Sequence, residues 1–322
     1  MSTVIRLRKG LNIKLAGKAE KILLPETAVD RFGVRFADFA GLTARLEVRE
    51  GDRVMAGTAL FHDKSYPEVK YVSPVSGVVR EIIRGEKRVL TEVVIDRDGN
   101  GRVDFGVADP LKLTREKVTE RLLTSGMWPV LRQRPYHIVA RPGTVPRAVF
   151  ISAFDTAPLA PDIDFIMANV HGNHLQTGIN VLSRLTDGKI HLSQEAGGSR
   201  VAEVKNLTGV EFHEFSGPHP AGNVGIQIHH IEPVSRGEVV WTVDLQDVVA
   251  LGRLFDTGFY SRERIIALAG TGVLHPKYHR ITPGASVSGI LKANLGEGNH
   301  RVISGNVLTG RRISADGYFG FY

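Results

Sequence analysis

The order of apolar and polar residues indicates β structure in the first third of the chain. Short alternating runs such as Arg45–Arg49 are separated by turn residues such as Glu50-Gly51-Asp52, and the pattern repeats from Val69 to Ile95. Alternation with a period of two is typical of half-buried strands. We therefore predict a domain over residues 1–108 whose short strands close into a small barrel or flattened sandwich.

The apolar spacing becomes helical after Asp109-Pro110. Thr114 is a candidate helix N-cap. Residues 147–152 have the pattern of a fully buried strand, and residues 163–185 carry apolar side chains at helical intervals. Strands and helices that alternate in this way predict a mostly parallel α/β layer. We assign residues 109–262 to this Rossmann-like α/β domain.

From about Arg264 the pattern returns to short strands separated by glycine, with one short helix. The segments Ile265–Gly270 and Ile281–Gly284 resemble the opening strands of β-grasp modules that bind soluble ligands. Residues 263–322 are therefore predicted to form a β-grasp-like domain. The fold class is α/β and multidomain.

Composition excludes several classes of function. The chain has 322 residues, of which 42% are hydrophobic and 23% charged, with a net charge of +7 and no cysteine. Without cysteine there are no disulfides, thiolate-bound iron–sulfur clusters, cysteine zinc sites or cysteine nucleophiles. The chain has no long run of like charges that would indicate a nucleic-acid-binding arm. Its longest uncharged apolar run, residues 265–274, is shorter than the ~20 residues that span a bilayer. We expect a soluble chain, or a soluble component of a larger assembly.

Histidine spacing does not predict a metal site. The pairs His171/His174, His229/His230 and His275/His279 could each share a face, but three converging ligands do not follow from such spacing. The chain also lacks the glycine-rich phosphate loops and the Gly-x-Ser-x-Gly elbow. We expect no metal and no catalytic residue in this chain.

Lys64 is a candidate modification site. Residues 51–57, the pair Asp63-Lys64 and residues 73–79 resemble lipoyl and biotinyl domains, in which the modified lysine lies at a hairpin tip. Pro67 should disturb a tight turn there. We therefore expect the fold without the modification, and a carrier protein modified on Lys64 is one alternative function.

Three stretches together resemble a known family. Leu122–Tyr136, Pro146–Ala160 and Gly217–Gly222 are similar to the A subunit of the sodium-translocating NADH:quinone oxidoreductase, the bacterial respiratory sodium pump, and the similarity covers nearly the whole chain. The resemblance implies a complex that oxidises NADH, reduces ubiquinone (or menaquinone) and exports Na⁺. It implies a peripheral protein on the cytoplasmic side of the inner membrane, with the membrane-embedded B subunit and the C subunit of the pump as partners. Members usually continue past the equivalent of Gly317-Tyr318, so a truncated C-terminus is one expectation.

The resemblance also bears on cofactors. The family is similar in architecture to the flavin subunit of complex I and to the C subunit of Rnf complexes, whose flavin lies on a glycine-rich loop. The corresponding run here, Ser125–Arg132, has one glycine and the bulky Trp128. We expect no FMN and no iron–sulfur cluster in this chain, with NADH and flavins bound by partner subunits. An Rnf-like electron carrier is disfavoured by the lack of cysteine, and a purely structural adaptor is a further alternative.

The candidate quinone site is formed by Trp128, Phe154, Asp155 and His219. A proline- and glycine-rich loop, Gly217–Gly222, follows a predicted strand, and ligands bind α/β layers at such loops. Phe154 and Trp128 could stack on a quinone ring, and His219 could donate a hydrogen bond and a proton. The alternative is that both aromatic side chains belong to the core and that the prolines only fix a turn.

Overall fold

The computed structural model describes residues 4–170, 172 and 174–322 as a mixed α/β chain with five sheets. Within these ranges no helix is both long enough and apolar enough to cross a lipid bilayer. His171, a member of one predicted histidine pair, lies outside the described residues.

The N-terminal region is built from two antiparallel sheets around an aromatic core. One sheet has the order β3-β9-β8-β5 and the other β4-β6-β7. Phe61 stacks on Tyr71 with ring centroids 4.8 Å apart, and Phe36 lies 4.4 Å from Phe61. The strands are β1 (Ile5–Arg6), β2 (Leu23–Leu24), β3 (Arg31–Arg35), β4 (Ala44–Leu46), β5 (Arg53–Val54), β6 (Ala59–Asp63), β7 (Tyr66–Val72), β8 (Gly77–Arg84) and β9 (Leu90–Arg97).

Lys64 lies exposed at the tip of a tight hairpin. Strands β6 and β7 are separated only by Lys64 and Ser65, and Asp63 pairs with Tyr66. The expectation that Pro67 would disturb this turn is wrong. The pairing shifts between His62 and Asp63, and β7 is the outer strand of its sheet, so a residue without an N–H is tolerated there.

The first two strands pair outside the N-terminal sheets. Strand β1 lies parallel to β14 (Glu211–Ser216) in the central sheet, and β2 lies parallel to β17 (Tyr278–Ile281) in the C-terminal region. Residues 5–24 therefore connect all three regions of the molecule.

The central region contains a seven-stranded sheet of order β1-β14-β13-β12-β15-β10-β11, in which the first five strands are parallel. Helices α3 and α6 pack against each other, and α5 contacts β12. Short 3₁₀ turns occur at Pro110–Lys112 and Trp128–Val130. The other elements are α1 (Arg115–Thr124), β10 (Arg132–Arg134), β11 (Ile138–Val139), β12 (Val149–Ser152), α2 (Ile163–Ala168), α3 (His174–Leu185), β13 (Ile190–Glu195), α4 (Ala202–Lys205), β14 (Glu211–Ser216), α5 (Val224–Ile231), β15 (Val240–Asp244) and α6 (Leu245–Thr257).

Helix boundaries in this region agree with the sequence at α1 and differ at α2. The Thr114 hydroxyl accepts a hydrogen bond from the Lys117 N–H, as predicted for an N-cap. The apolar periodicity over residues 163–185, however, is divided between α2 and α3. Asn169 leaves helical geometry after Ala168, and its side-chain amide donates to the Phe165 carbonyl.

The C-terminal region packs against both other regions. Its elements are β16 (Arg264–Ala267), β17 (Tyr278–Ile281), α7 (Ser288–Lys292), β18 (Ile303–Ser304) and β19 (Arg311–Arg312). The ring of Phe321 lies 4.7 Å from that of Phe39, and the Tyr322 hydroxyl donates to the Pro129 carbonyl. A buried ion pair between Arg262 and Asp247, at 2.6 Å, lies beneath Phe321. The three regions thus meet around the last two residues.

Candidate functional site

Two loops meet beyond the carboxyl-terminal ends of the parallel strands in the central sheet. Strand β12 ends at Ser152 and β14 at Ser216, and parallel strands place the loops that follow them on the same side. Ligands of open α/β sheets bind outside these ends. The predicted site residues Phe154, Asp155 and His219 all lie on these loops.

Gly222 is the point of closest approach between the two loops. A side chain at this position would place its Cβ 2.5 Å from the Thr156 nitrogen and 2.9 Å from the Asp155 Cα. Behind this contact, the buried Gln227 amide donates to the Ser152 hydroxyl and to the Ala221 carbonyl. One side chain of α5 therefore holds both loops in place.

Thr156 connects the two loops and orients His219. Its hydroxyl oxygen accepts the Gly222 N–H at 2.9 Å and lies 3.2 Å from His219 Nδ1. The hydroxyl needs an acceptor for its own hydrogen, and an unprotonated Nδ1 provides one. In that arrangement His219 carries its hydrogen on Nε2 and can donate it to a ligand.

Phe154 and Asp155 have different surroundings. Phe154 is half-buried, with its ring centroid 6.5 Å from that of the buried Phe215. Asp155 is exposed, and its carboxylate accepts the Ala157 N–H at 2.7 Å. Phe154 thus presents an apolar surface on the loop that contacts the His219 loop, whereas Asp155 fixes the turn.

Trp128 belongs to the core of the central region. It is 1% exposed, its indole N–H donates to the Ala140 carbonyl at 2.6 Å, and its ring lies edge-on to Trp241 at 5.5 Å. Among the residues that the structure describes, no hydrogen bond or ring contact joins Trp128 to Phe154, Asp155 or His219. The structure therefore brings together three of the four predicted residues.

The N-terminal segment contacts the loop that carries His219, and the sequence did not predict this contact. The Leu11 N–H donates to the His219 carbonyl at 3.0 Å, and a Cβ at Gly10 would lie 2.1 Å from that oxygen. Beyond it, Leu11, Ile13 and Leu15 are exposed by 73%, 43% and 44%. The segment that follows this contact therefore carries three exposed apolar side chains. No local motif indicates a contact between two residues so distant in the sequence.

Among the described residues, the group that could hold a metal does not include a histidine of the pairs noted in the sequence. His174 pairs with Asp256 at 2.6 Å, and His279 is buried in β17 while His275 is exposed. Instead, ligand atoms of His191, Glu211 and His213 lie within 4.8 Å of one another.

The surroundings of the two imidazoles of this group favour their neutral form. Burial lowers the pKa of His191, although a hydrogen bond to Glu232 opposes that shift. Burial also lowers the pKa of His213, and the neighbouring His191 lowers it further. Neutral imidazole is the form that binds metal ions.

Comparison with family models divides the chain into three matched segments. Residues 5–98 match the NqrA N-terminal barrel-sandwich hybrid domain, residues 113–260 the NqrA second alpha/beta domain, and residues 265–315 the NQRA C-terminal domain, of SLBB type. These matches confirm the predicted fold class. The domain boundaries at residues 108 and 262 stay predictions.

Among solved structures, the chain is similar to an NAD⁺-reducing [NiFe]-hydrogenase in the H₂-reduced state, at 12% identity and a TM-score of 0.38, over 54% of this chain and 38% of that one. This likeness is too weak to support any argument.

Curated relatives show the same family over nearly the whole chain. The A subunit of the Na(+)-translocating NADH-quinone reductase of Yersinia pseudotuberculosis is 44% identical, over 98% of this chain and 71% of that protein. The corresponding protein of Klebsiella pneumoniae is 44% identical over 96% and 69%, and that of Neisseria meningitidis 41% identical over 99% and 72%. The resemblance predicted from the three sequence stretches is thereby confirmed, and the chain belongs to the family formed by the A subunit of the Na(+)-translocating NADH-quinone reductase.

Proposed function

We propose that this chain is a peripheral component of a complex that oxidises NADH, reduces ubiquinone or menaquinone and exports Na⁺, and that it contributes to quinone binding there. The 41–44% identity to proteins named as the A subunit of such a reductase supports the first part. The meeting of the two loops around His219 is the observation that carries the second.

The geometry of the loops suits one face of a quinone. A quinone needs an apolar surface for its ring and a polar donor for a carbonyl oxygen. Phe154 offers the first, and the Nε2–H of His219, oriented through Thr156, offers the second. Trp128 is buried, so its ring is not part of the proposed contact surface.

The proposed chemistry of this chain is limited to binding and proton handling. Reduction of a quinone to a quinol takes two electrons and two protons, and the electrons derive from NADH through partner subunits. A hydrogen bond from His219 to a quinone oxygen strengthens as negative charge develops on that oxygen. For His219 to pass a proton to that oxygen, its Nδ1 must first take up a proton from water; the Nε2 proton then moves to the oxygen, and the neutral imidazole remains.

The exposed apolar N-terminal segment favours a partner beside this site. His219 and Phe154 are only half-buried, so the loops leave one side of a bound quinone uncovered. The N–H of the exposed Leu11 contacts the His219 carbonyl, and Ile13 and Leu15, a few residues further along, are also exposed. We propose that the membrane-embedded B subunit covers this side, with the C subunit as a further neighbour, and that the chain lies on the cytoplasmic side of the membrane.

The test is His219→Ala in the assembled complex, with quinone kinetics and the stoichiometry of the subunits measured together. Loss of one hydrogen bond should raise the KM for quinone about 2- to 10-fold, and assembly should be retained. The exposed His230, on α5, provides the matched control as His230→Ala. Unchanged quinone kinetics in a fully assembled His219→Ala complex would remove His219 from the site and move the pocket to the partner.

We further propose that the chain holds neither flavin nor an iron–sulfur cluster. The sequence contains no cysteine, and Met127, Trp128 and Leu131, in the run that corresponds to the relatives' flavin loop, are buried. Packed side chains keep backbone N–H groups from a phosphate. The purified chain should be colourless, and a stoichiometric flavin absorbance would contradict the proposal.

A carrier function is the second candidate because Lys64 lies exposed at a hairpin tip. A lipoyl or biotinyl group on Lys64 would add a fixed increment to the intact mass. We expect the unmodified mass, and a modified peptide that contains Lys64 would establish the carrier.

A further inference from the structure

We propose that His191, Glu211 and His213 form a binding site for a divalent transition metal ion of the Zn²⁺ class. The site lies at the amino-terminal end of strands β13 and β14. It is therefore at the opposite end of the sheet from the loops around His219.

The strand register places the three side chains on one face of the sheet. His191 on β13 is opposite Glu211 on β14, and His213 is two positions further along β14. Residues two apart on a strand point to the same side. The sheet therefore presents two imidazoles and a carboxylate to one point, although His191 and Glu211 belong to strands that the sequence separates by a helix.

The distances between the ligand atoms suit a small ion. His191 Nδ1 lies 2.9 Å from His213 Nε2 and 3.6 Å from a Glu211 carboxylate oxygen. Zinc bonds of ~2.1 Å in a tetrahedron separate two ligand atoms by about 3.4 Å. To admit the metal, the two imidazoles must move apart by about 0.5 Å. His213, whose Nε2 donates to His191 Nδ1 in the metal-free chain, must carry its hydrogen on Nδ1 instead.

Glu232 fixes His191 in the form that a metal requires. Its carboxylate lies 3.2 Å from His191 Nε2, so the imidazole hydrogen is held on Nε2 and the lone pair of Nδ1 points toward His213. Arg147 donates to the other Glu232 oxygen at 2.6 Å, and Phe150 stacks on the His191 ring at 4.6 Å. A carboxylate behind a ligating histidine is a recurrent feature of zinc sites.

The ligand types and the exposure narrow the class of metal. Imidazole nitrogen suits Zn²⁺, Co²⁺, Ni²⁺ and Cu²⁺ rather than Mg²⁺ or Ca²⁺. The Glu211 side chain is 45% exposed, which gives an entry path and leaves room for water as a fourth ligand. Lys189 pairs with Glu211 at 2.6 Å through the oxygen other than the one that faces His191.

The first experiment is titration of the purified, chelator-treated chain with ZnCl₂ in a calorimeter, and with CoCl₂ followed by visible absorbance. We expect one high-affinity Zn²⁺ per chain and the intense visible bands of tetrahedral Co²⁺. Glu232→Gln should weaken Zn²⁺ binding by about 10- to 100-fold, and Glu211→Gln and His213→Ala should weaken it at least as much.

Two controls distinguish metal binding at this site from binding to surface histidines, and loss of a ligand from loss of the fold. His229→Ala removes an exposed imidazole outside the cluster and should leave the high-affinity site unchanged. Glu211 is exposed, so Glu211→Gln should melt like the parent chain without metal. Absence of a stoichiometric site, or affinity that stays unchanged in both Glu211→Gln and His213→Ala, would overturn the proposal.

Discussion

At the two ends of the parallel strands in the central sheet, the side chains of interest are positioned in different ways. At the carboxyl end, loops carry the side chains proposed to bind quinone, and hydrogen bonds through Thr156 and Gln227 hold these loops together. At the amino end, His191, Glu211 and His213 project directly from strands, and their positions follow from the register alone. Side chains on strands are placed more rigidly than side chains on loops. The amino end thus suits a small ion of fixed geometry, and the carboxyl end a larger ligand completed by a partner.

The strongest test of this difference is Gly222→Ala at the carboxyl end. The added methyl would lie 2.5 Å from the Thr156 nitrogen, so the loops must separate. We expect destabilisation by about 1–3 kcal/mol, loss of most quinone reduction in the assembled complex, and unchanged Zn²⁺ affinity at the amino end. Urea unfolding, quinone kinetics and calorimetry measure the three quantities.

Gly289→Ala is the matched control for that variant. Gly289 lies in α7, and a Cβ there would meet only the Thr27 methyl at 3.6 Å. Alanine should stabilise the helix by about 0.5–1 kcal/mol. Equal destabilisation by both substitutions would show that the loop contact at Gly222 is not special.

Thr156→Val should have the next largest effect. The variant keeps the shape of the side chain but leaves the Gly222 N–H and His219 Nδ1 without their partner. We expect a cost of about 1–3 kcal/mol in unfolding free energy, together with a higher KM for quinone. Thr156→Ser retains the hydroxyl and should behave like the parent chain. If Thr156→Ser and Thr156→Val are equally impaired, the methyl contact matters and the hydroxyl does not.

At the amino end, Arg147→Met should alter stability less. Arg147 pairs with Glu232, but both side chains are about one-third exposed, and such pairs contribute at most ~1 kcal/mol. Because Glu232 would then be held less firmly against His191, Zn²⁺ affinity should fall while quinone kinetics stay constant. A change in quinone KM here would show that the two ends are coupled.

The smallest effect on stability is expected for Leu11→Ser. The Leu11 side chain is 73% exposed, and surface substitutions usually change unfolding free energy by less than ~0.5 kcal/mol. If a partner covers this edge, the variant should nevertheless reduce the yield of assembled complex. Arg312→Ser, at an exposed position of β19, is the control, and equal yields from both would remove Leu11 from the interface.

Sequence reasoning succeeded where the pattern is local. The alternation of strands and helices predicted the parallel layer, and Thr114 predicted the start of α1, because both depend on residues a few positions apart. The turn at Lys64 was misjudged because a shift in strand pairing, which no local residue pattern announces, accommodates Pro67.

The sites depend on contacts that are distant in the sequence. Histidine spacing drew attention to His275 and His279, whereas the structure brings His191 to His213 through neighbouring parallel strands. Nothing in the sequence around Trp128 indicated that its indole N–H donates a hydrogen bond to the Ala140 carbonyl. The pairing of Ile5 with Phe215 was likewise beyond a local pattern, because a two-residue strand has too few positions to show a period.

The placement of β1 also affects how the chain is made. Ile5 and Arg6 are synthesised well before their partner β14, which comes after most of the central region in the sequence. The two antiparallel sheets formed by residues 31–97 can close in the meantime, because the strands of each sheet pair with one another. Until β1 docks, β14 is a bare edge whose unpaired N–H and C=O groups can recruit another chain. An N-terminal fusion that delays docking should therefore promote aggregation during expression, whereas a C-terminal fusion leaves that edge covered.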